Sequence, residues 1–84
     1  MYLHLGQDII VHTHDILGIF DLDTASSSLR TREYLARAEK EHRVVNVSME
    51  LPKSFIVTLG EHPAVYISQI SAATLLKRSG FLSE

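Results

Sequence analysis

Cysteine and tryptophan are missing from this 84-residue chain, proline occurs twice and glycine four times. Without cysteine there is no disulfide staple, thiolate nucleophile, iron–sulfur cluster or cysteine zinc knuckle, which excludes a disulfide-scaffolded secreted fold. No stretch approaches the ~20 apolar residues that span a bilayer, and no basic leader precedes an apolar run at the N-terminus. A soluble, cytoplasmic protein without a membrane segment is therefore expected. An excess of base is lacking too: 8 Lys and Arg stand against 10 Asp and Glu, for a net charge of -2. That balance argues against coating nucleic acid by bulk charge. Linkers and low-complexity segments are absent, so residues 1–84 read as one domain.

What is present is a chain that is 45% hydrophobic. A domain this short hides only roughly 60 to 65% of its unfolded surface, so self-association is an expected source of stability. Charge is unevenly spread. Residues 1–24 carry Asp8, Asp15, Asp21 and Asp23 and no base, whereas residues 25–43 carry five bases against three acids. The concentrated positive charge lies in the middle.

The apolar pattern predicts two short strands, Met1 to Leu5 and Ile9 to Val11, around a Gly6-Gln7-Asp8 turn. His12-Thr13-His14-Asp15 interrupts before a central strand, Ile16-Leu17-Gly18-Ile19-Phe20. Gly18 leaves a gap there that a crossing helix or a neighbouring subunit can approach. Asp21-Leu22-Asp23-Thr24 reads as a turn, and Ser26-Ser27-Ser28 as the cap of a helix from Arg30 to Glu41. Thr31, Tyr34, Leu35, Ala38 and His42 form the stripe expected to meet the sheet, with Arg30, Arg37 and Glu41 on another face. Further strands are expected at Val44 to Met49, Ser54 to Leu59 and Ala64 to Ser68, the last two as a hairpin. Ser71 caps a short C-terminal helix that Gly80 stops, with Ile70 and Leu75 as a hydrophobic staple and Phe81-Leu82 as an apolar tail. The fold class is α+β: a small mixed or antiparallel sheet of five to six short strands, one main middle helix and a short terminal helix. Two helices cannot cover both faces of such a sheet, which leaves apolar surface for a partner subunit.

Chemistry-bearing clusters are few. His12, His14 and Asp15, joined by His4 or His62, are the densest set of metal-ligand types. They lack the helical His-Glu-x-x-His frame, and a polar strand junction is the better reading. The three serines have no nucleophile elbow around them, Asp21 and Asp23 do not oppose one another across a pocket, and no phosphate loop is present. No catalytic residue, metal or cofactor is assigned, and an enzyme is not expected. The electrostatic candidates are Arg30, Arg32, Arg37, Lys40, Arg43 and Lys53, with Lys77 and Arg78 near the end. These are cations that meet phosphates, and repetition in an oligomer multiplies weak contacts.

Four segments in this order, Met1-Tyr2-Leu3-His4-Leu5-Gly6, Ile16-Leu17-Gly18-Ile19-Phe20-Asp21, Pro52-Lys53-Ser54-Phe55-Ile56-Val57-Thr58, and Val65-Tyr66-Ile67-Ser68-Gln69-Ile70-Ser71 followed by Thr74-Leu75-Leu76-Lys77-Arg78, make the chain resemble a bacterial family. It is similar to the extracellular matrix regulatory proteins, closer to the RemB-like (YaaB) branch than to the RemA branch. The resemblance implies a small α+β subunit assembling into a ring-like homo-oligomer. It also implies a role in controlling matrix, or biofilm, genes through double-stranded DNA. In RemA-like chains an arginine before the central strand and an arginine-rich stretch before a later strand are associated with DNA contact. Asp15 stands at the first place here, and Glu50-Leu51-Pro52-Lys53 at the second, so only Lys53 keeps the positive charge. The resemblance leaves Lys53 as the residue of DNA contact, and the cations Arg30, Arg32 or Arg37, singled out by charge, are expected to assist it. The alternative is an oligomeric adaptor that has lost direct DNA binding.

Overall fold

Alternating apolar side chains give six short strands, and two capped segments give the longer helices. The computed structural model describes residues 1–25 and 27–80. β1 (Tyr2–Gly6) and β2 (Ile9–His12) form the expected antiparallel hairpin, turning at Gly6 and Gln7, both with positive φ. A single 3-10 turn, Thr13–Asp15, takes up the polar junction and leads into β3 (Ile16–Asp21). One helical turn, α1 (Leu22–Ala25), replaces the expected turn, and the Asp21 carboxylate accepts from the Thr24 amide at 3.1 Å. α2 (Leu29–Lys40) starts at Ser28, whose hydroxyl accepts from the Thr31 amide; Ser26 lies outside the described residues.

β4 (Val44–Asn46) is shorter than its apolar run. It ends where the Ser48 hydroxyl accepts from the Glu50 amide and bends the chain away. β5 (Ser54–Thr58) and β6 (Ala64–Ser68) form the second hairpin, and α3 (Ala72–Ser79) runs from its Ser71 cap to Gly80, which takes the left-handed conformation at φ 83°. The Phe81-Leu82 tail lies outside the described residues.

The six strands divide into two sheets, the β1–β2 hairpin and a mixed sheet in the order β3-β5-β6-β4, in which only β4 and β6 are parallel. β5 is central and buried along its whole length. Its alternation feeds two cores. Phe55 and Val57 join Val65 and Ala38 beneath α2, while Ile56 joins Leu3, Leu5, Val11, Ile19 and Leu75 beneath the hairpin and α3. Ile70 packs on this second core beside Leu75, as a staple requires.

Two buried serines tie the layers. Ser68 donates to the Leu5 carbonyl at 2.7 Å and accepts from the Ile70 amide, and Ser54 donates to the Ile70 carbonyl at 2.7 Å. The gap at Gly18 is filled from within its own strand. The Phe20 ring lies over it and stacks on Phe55 at 5.0 Å. A register shift between Ile16 and Gly18 marks a bulge that leaves Leu17 64% exposed.

Candidate nucleic-acid interface

A side chain that meets phosphate through charge must be cationic and exposed. Lys53 is both, and its backbone is bonded on two sides. Its amide donates to the Ser68 carbonyl and its carbonyl accepts from the Leu22 amide, each at 2.9 Å, while its side chain is exposed. Those two bonds fasten it between β6 and α1, at the end of the sheet where Asp21 pairs with Ser54.

The helix bases follow from the topology. β4 is parallel to β6, and α2 leads back to the start of β4, so α2 begins at the Lys53 end of the sheet and finishes at the other. Arg30 and Arg32 therefore share an end with Lys53. Arg37 lies two turns further on, about 10 Å along the axis. Arg30 and Arg37, seven residues apart, share a helical face, whereas Arg32 is rotated by about 200° from Arg30. All three are exposed, but they do not form one stripe. Arg30 also borders an apolar groove between α2 and the β3–β5 pair, which neither composition nor charge spacing points to.

Other candidates are used differently. The Arg43 Nε donates to the Glu41 carboxylate at 2.8 Å. That bond, and a second to Tyr34, hold the Arg43 guanidinium above its ordinary pKa and commit its charge locally. Lys77 and Arg78 sit in the last turn of α3, which packs on β1 and β3 on the sheet face opposite α2.

His12, His14 and His62 lie at the end of the sheet away from Lys53. His12 packs its ring against Tyr2 at 4.2 Å and His14 at 4.5 Å, and the His14 Nε2 lies 3.4 Å from Asp15. With Asp15, Glu61 and His62, His12 lines an open groove of about 580 Å³. His4 stays out of this set, its Nε2 lying 2.6 Å from the Gln7 carbonyl in the first hairpin. Among the described residues no three His, Asp or Glu side chains come together as a metal would require. No helix among them is long and apolar enough to cross a membrane.

Asp15 and Glu50, the two acidic departures from the arginine pattern, are also separated. The Asp15 carbonyl accepts from the Leu59 amide at the start of β3, whereas Glu50 is exposed in the connection leading to Lys53. Only Glu50 shares an end of the sheet with Lys53.

The family model RemA-like, described as extracellular matrix regulatory protein A-like, matches residues 2–78. The chain is also 40% identical to extracellular matrix regulatory protein B of Bacillus subtilis (strain 168), over all of this chain and 96% of that protein.

Proposed function

The chain belongs to the RemA-like family of extracellular matrix regulatory proteins, and from that membership we propose that it is a non-enzymatic cytoplasmic regulator that acts on matrix genes as a ring-like homo-oligomer contacting double-stranded DNA. The observation that carries the DNA contact is Lys53, an exposed cation whose backbone is bonded on both sides to the sheet end. Arg32 lies at the same end and Arg37 further along α2. Each subunit offers few cations, so affinity comes from repetition: contacts repeated around an assembly act at a high effective concentration. The whole chain serves as a single regulatory and oligomerisation domain.

A second reading, an assembly or adaptor protein without direct DNA contact, is favoured by Glu50, a carboxylate three residues before Lys53 that repels phosphate. The decisive experiment measures the mass of the purified protein in solution and titrates duplex DNA at low and moderate salt. Ring-sized particles with salt-sensitive binding, weakened by Lys53→Ala, support the regulator. Ring-sized particles that leave DNA unbound at low salt support the adaptor, because phosphate contacts are strongest there.

A further inference from the structure

Two of the apolar features that the fold leaves uncovered are matched in charge. The first is the groove of about 260 Å³ between α2 and the β3–β5 pair, walled by Leu17, Phe20, Tyr34, Phe55 and Val57. It exists because α2 lies over β4 and β6, leaving the β3 side of that face open, and because the bulge turns Leu17 outward. The second is the connection 48–52, where Met49 is fully exposed and Leu51 is 81% exposed. Two large apolar side chains two residues apart offer apolar area that a partner surface can cover.

Their charges are complementary. Among the described residues Arg30 is the one ionic side chain lining the groove, and Glu50, between Met49 and Leu51, is the one ionic residue of 48–52. The connection is also held in shape: Val47 and Lys53 at its two ends both donate to β6 carbonyls, Ile67 and Ser68, at 2.9 Å, and Ser48 caps the Glu50 amide at 3.0 Å. A segment fixed at both ends loses little conformational freedom on docking. The groove and the connection are different surfaces of one chain. The groove lies on the sheet face between α2 and the β3–β5 pair, whereas the connection crosses the end of the sheet from β4 to the start of β5.

We propose that the Met49-Glu50-Leu51 segment of one copy docks into the Leu17-Phe20-Tyr34-Phe55 groove of a second copy, with Glu50 against Arg30. This rests on the self-association reading above and names its contact. Because the docking surfaces differ, the contact runs head to tail and repeats from copy to copy, closing into a ring or continuing as a filament. It also gives Glu50 a role beside Lys53 and takes Arg30 out of the phosphate-binding set.

The test is a charge exchange read by sedimentation velocity across protein dilution, on wild type, Arg30→Glu, Glu50→Arg, the double variant and Met49→Ser/Leu51→Ser. All four sites are exposed, and circular dichroism checks that each variant stays folded. The expected result is that each single charge reversal raises the concentration needed for assembly by about tenfold or more, that the double reversal restores most of it, and that the serine variant stays small. Assembly of every variant at the wild-type concentration overturns the docking contact while leaving self-association intact. Loss of assembly in both single variants without recovery in the double overturns the Glu50–Arg30 pairing. A wild type that stays at the mass of one chain at all concentrations overturns both the contact and the reading beneath it.

Discussion

Asp15 and Lys53 stand at opposite ends of one antiparallel strand pair: the Asp15 carbonyl is bonded to the Leu59 amide, six residues beyond Lys53 along β5. At the rise of an extended strand the two positions are about 20 Å apart. That is more than twice the screening length of roughly 8 Å at physiological ionic strength. Asp15 therefore does little to the field at Lys53 within one subunit. Asp15→Asn is expected to change duplex DNA affinity by less than about twofold at 0.15 M salt. Lys53→Ala is expected to weaken binding and flatten its salt dependence, since each phosphate contact contributes roughly 0.9 to the log–log slope. Fluorescence anisotropy with both variants at matched salt checks this; an affinity gain of tenfold in Asp15→Asn would show that the two ends meet in the assembly.

Ser68 is the polar residue on which the hairpin's attachment turns. Its hydroxyl serves the Leu5 carbonyl and the Ile70 amide together, with no exposure to solvent. Ser68→Ala leaves a buried acceptor and a donor without partners, a loss of about 2 to 3 kcal/mol. Ser54→Ala strands only the Ile70 carbonyl and is expected to cost about half as much. Urea denaturation of both variants, compared through their midpoints, measures the difference, and equal midpoints would contradict the assignment.

Much of this architecture is legible in the chain because local signals agree with it. Ser28 and Ser71 mark helix starts, Gly80 marks an end, and the alternation of Phe55, Val57, Val65 and Ile67 marks two paired strands. The division into two sheets is not legible, since Leu3, Leu5 and Val11 alternate as they would in one continuous sheet. The parallel pairing of β4 with β6 depends on where the connection after Asn46 leads, which no residue in β4 specifies. No local signal marks Ser54 and Ser68 for burial; they are buried where the carbonyls of Ile70 and Leu5 approach them from other segments. The cations of the candidate interface are legible as residues but not as a group. Whether Arg30, Arg32 and Lys53 share an end follows from the direction of α2, which is a property of the topology. The groove beside Arg30 is hidden for the same reason, because it is made by a bulge and by the position of a helix.

Gly18 makes room for an aromatic ring two residues along its own strand. A β-carbon there would lie 2.4 Å from the Phe20 Cζ, so the ring must shift from its place on Phe55. Gly18→Ala is expected to cost about 1 to 2 kcal/mol through the lost aromatic pair and the newly exposed ring. The signature is non-additivity. Once Gly18→Ala has displaced the ring, Phe20→Ala adds much less than it does alone. A double-mutant cycle from urea denaturation checks this, and additive costs would show that the ring stays in place.

Leu75 is where the hairpin, the sheet and α3 depend on a single side chain. It is fully buried among Leu3, Leu5, Ile19 and Ile56, while its neighbour Leu76 is only partly buried at the margin of the same core. Leu75→Ala opens a cavity that three separate elements would have to close together, and the expected cost is about 3 to 4 kcal/mol. Leu76→Ala loses mainly transfer energy and is expected to cost about 1 to 2 kcal/mol. In a chain this short the first loss is a large part of the total stability. The melting temperature of Leu75→Ala is therefore expected to fall well below that of Leu76→Ala at equal protein concentration. Thermal melts of both variants over a hundredfold concentration range measure this. A Leu75→Ala melt as high as that of Leu76→Ala at every concentration would mean that the side chain does not join the three elements.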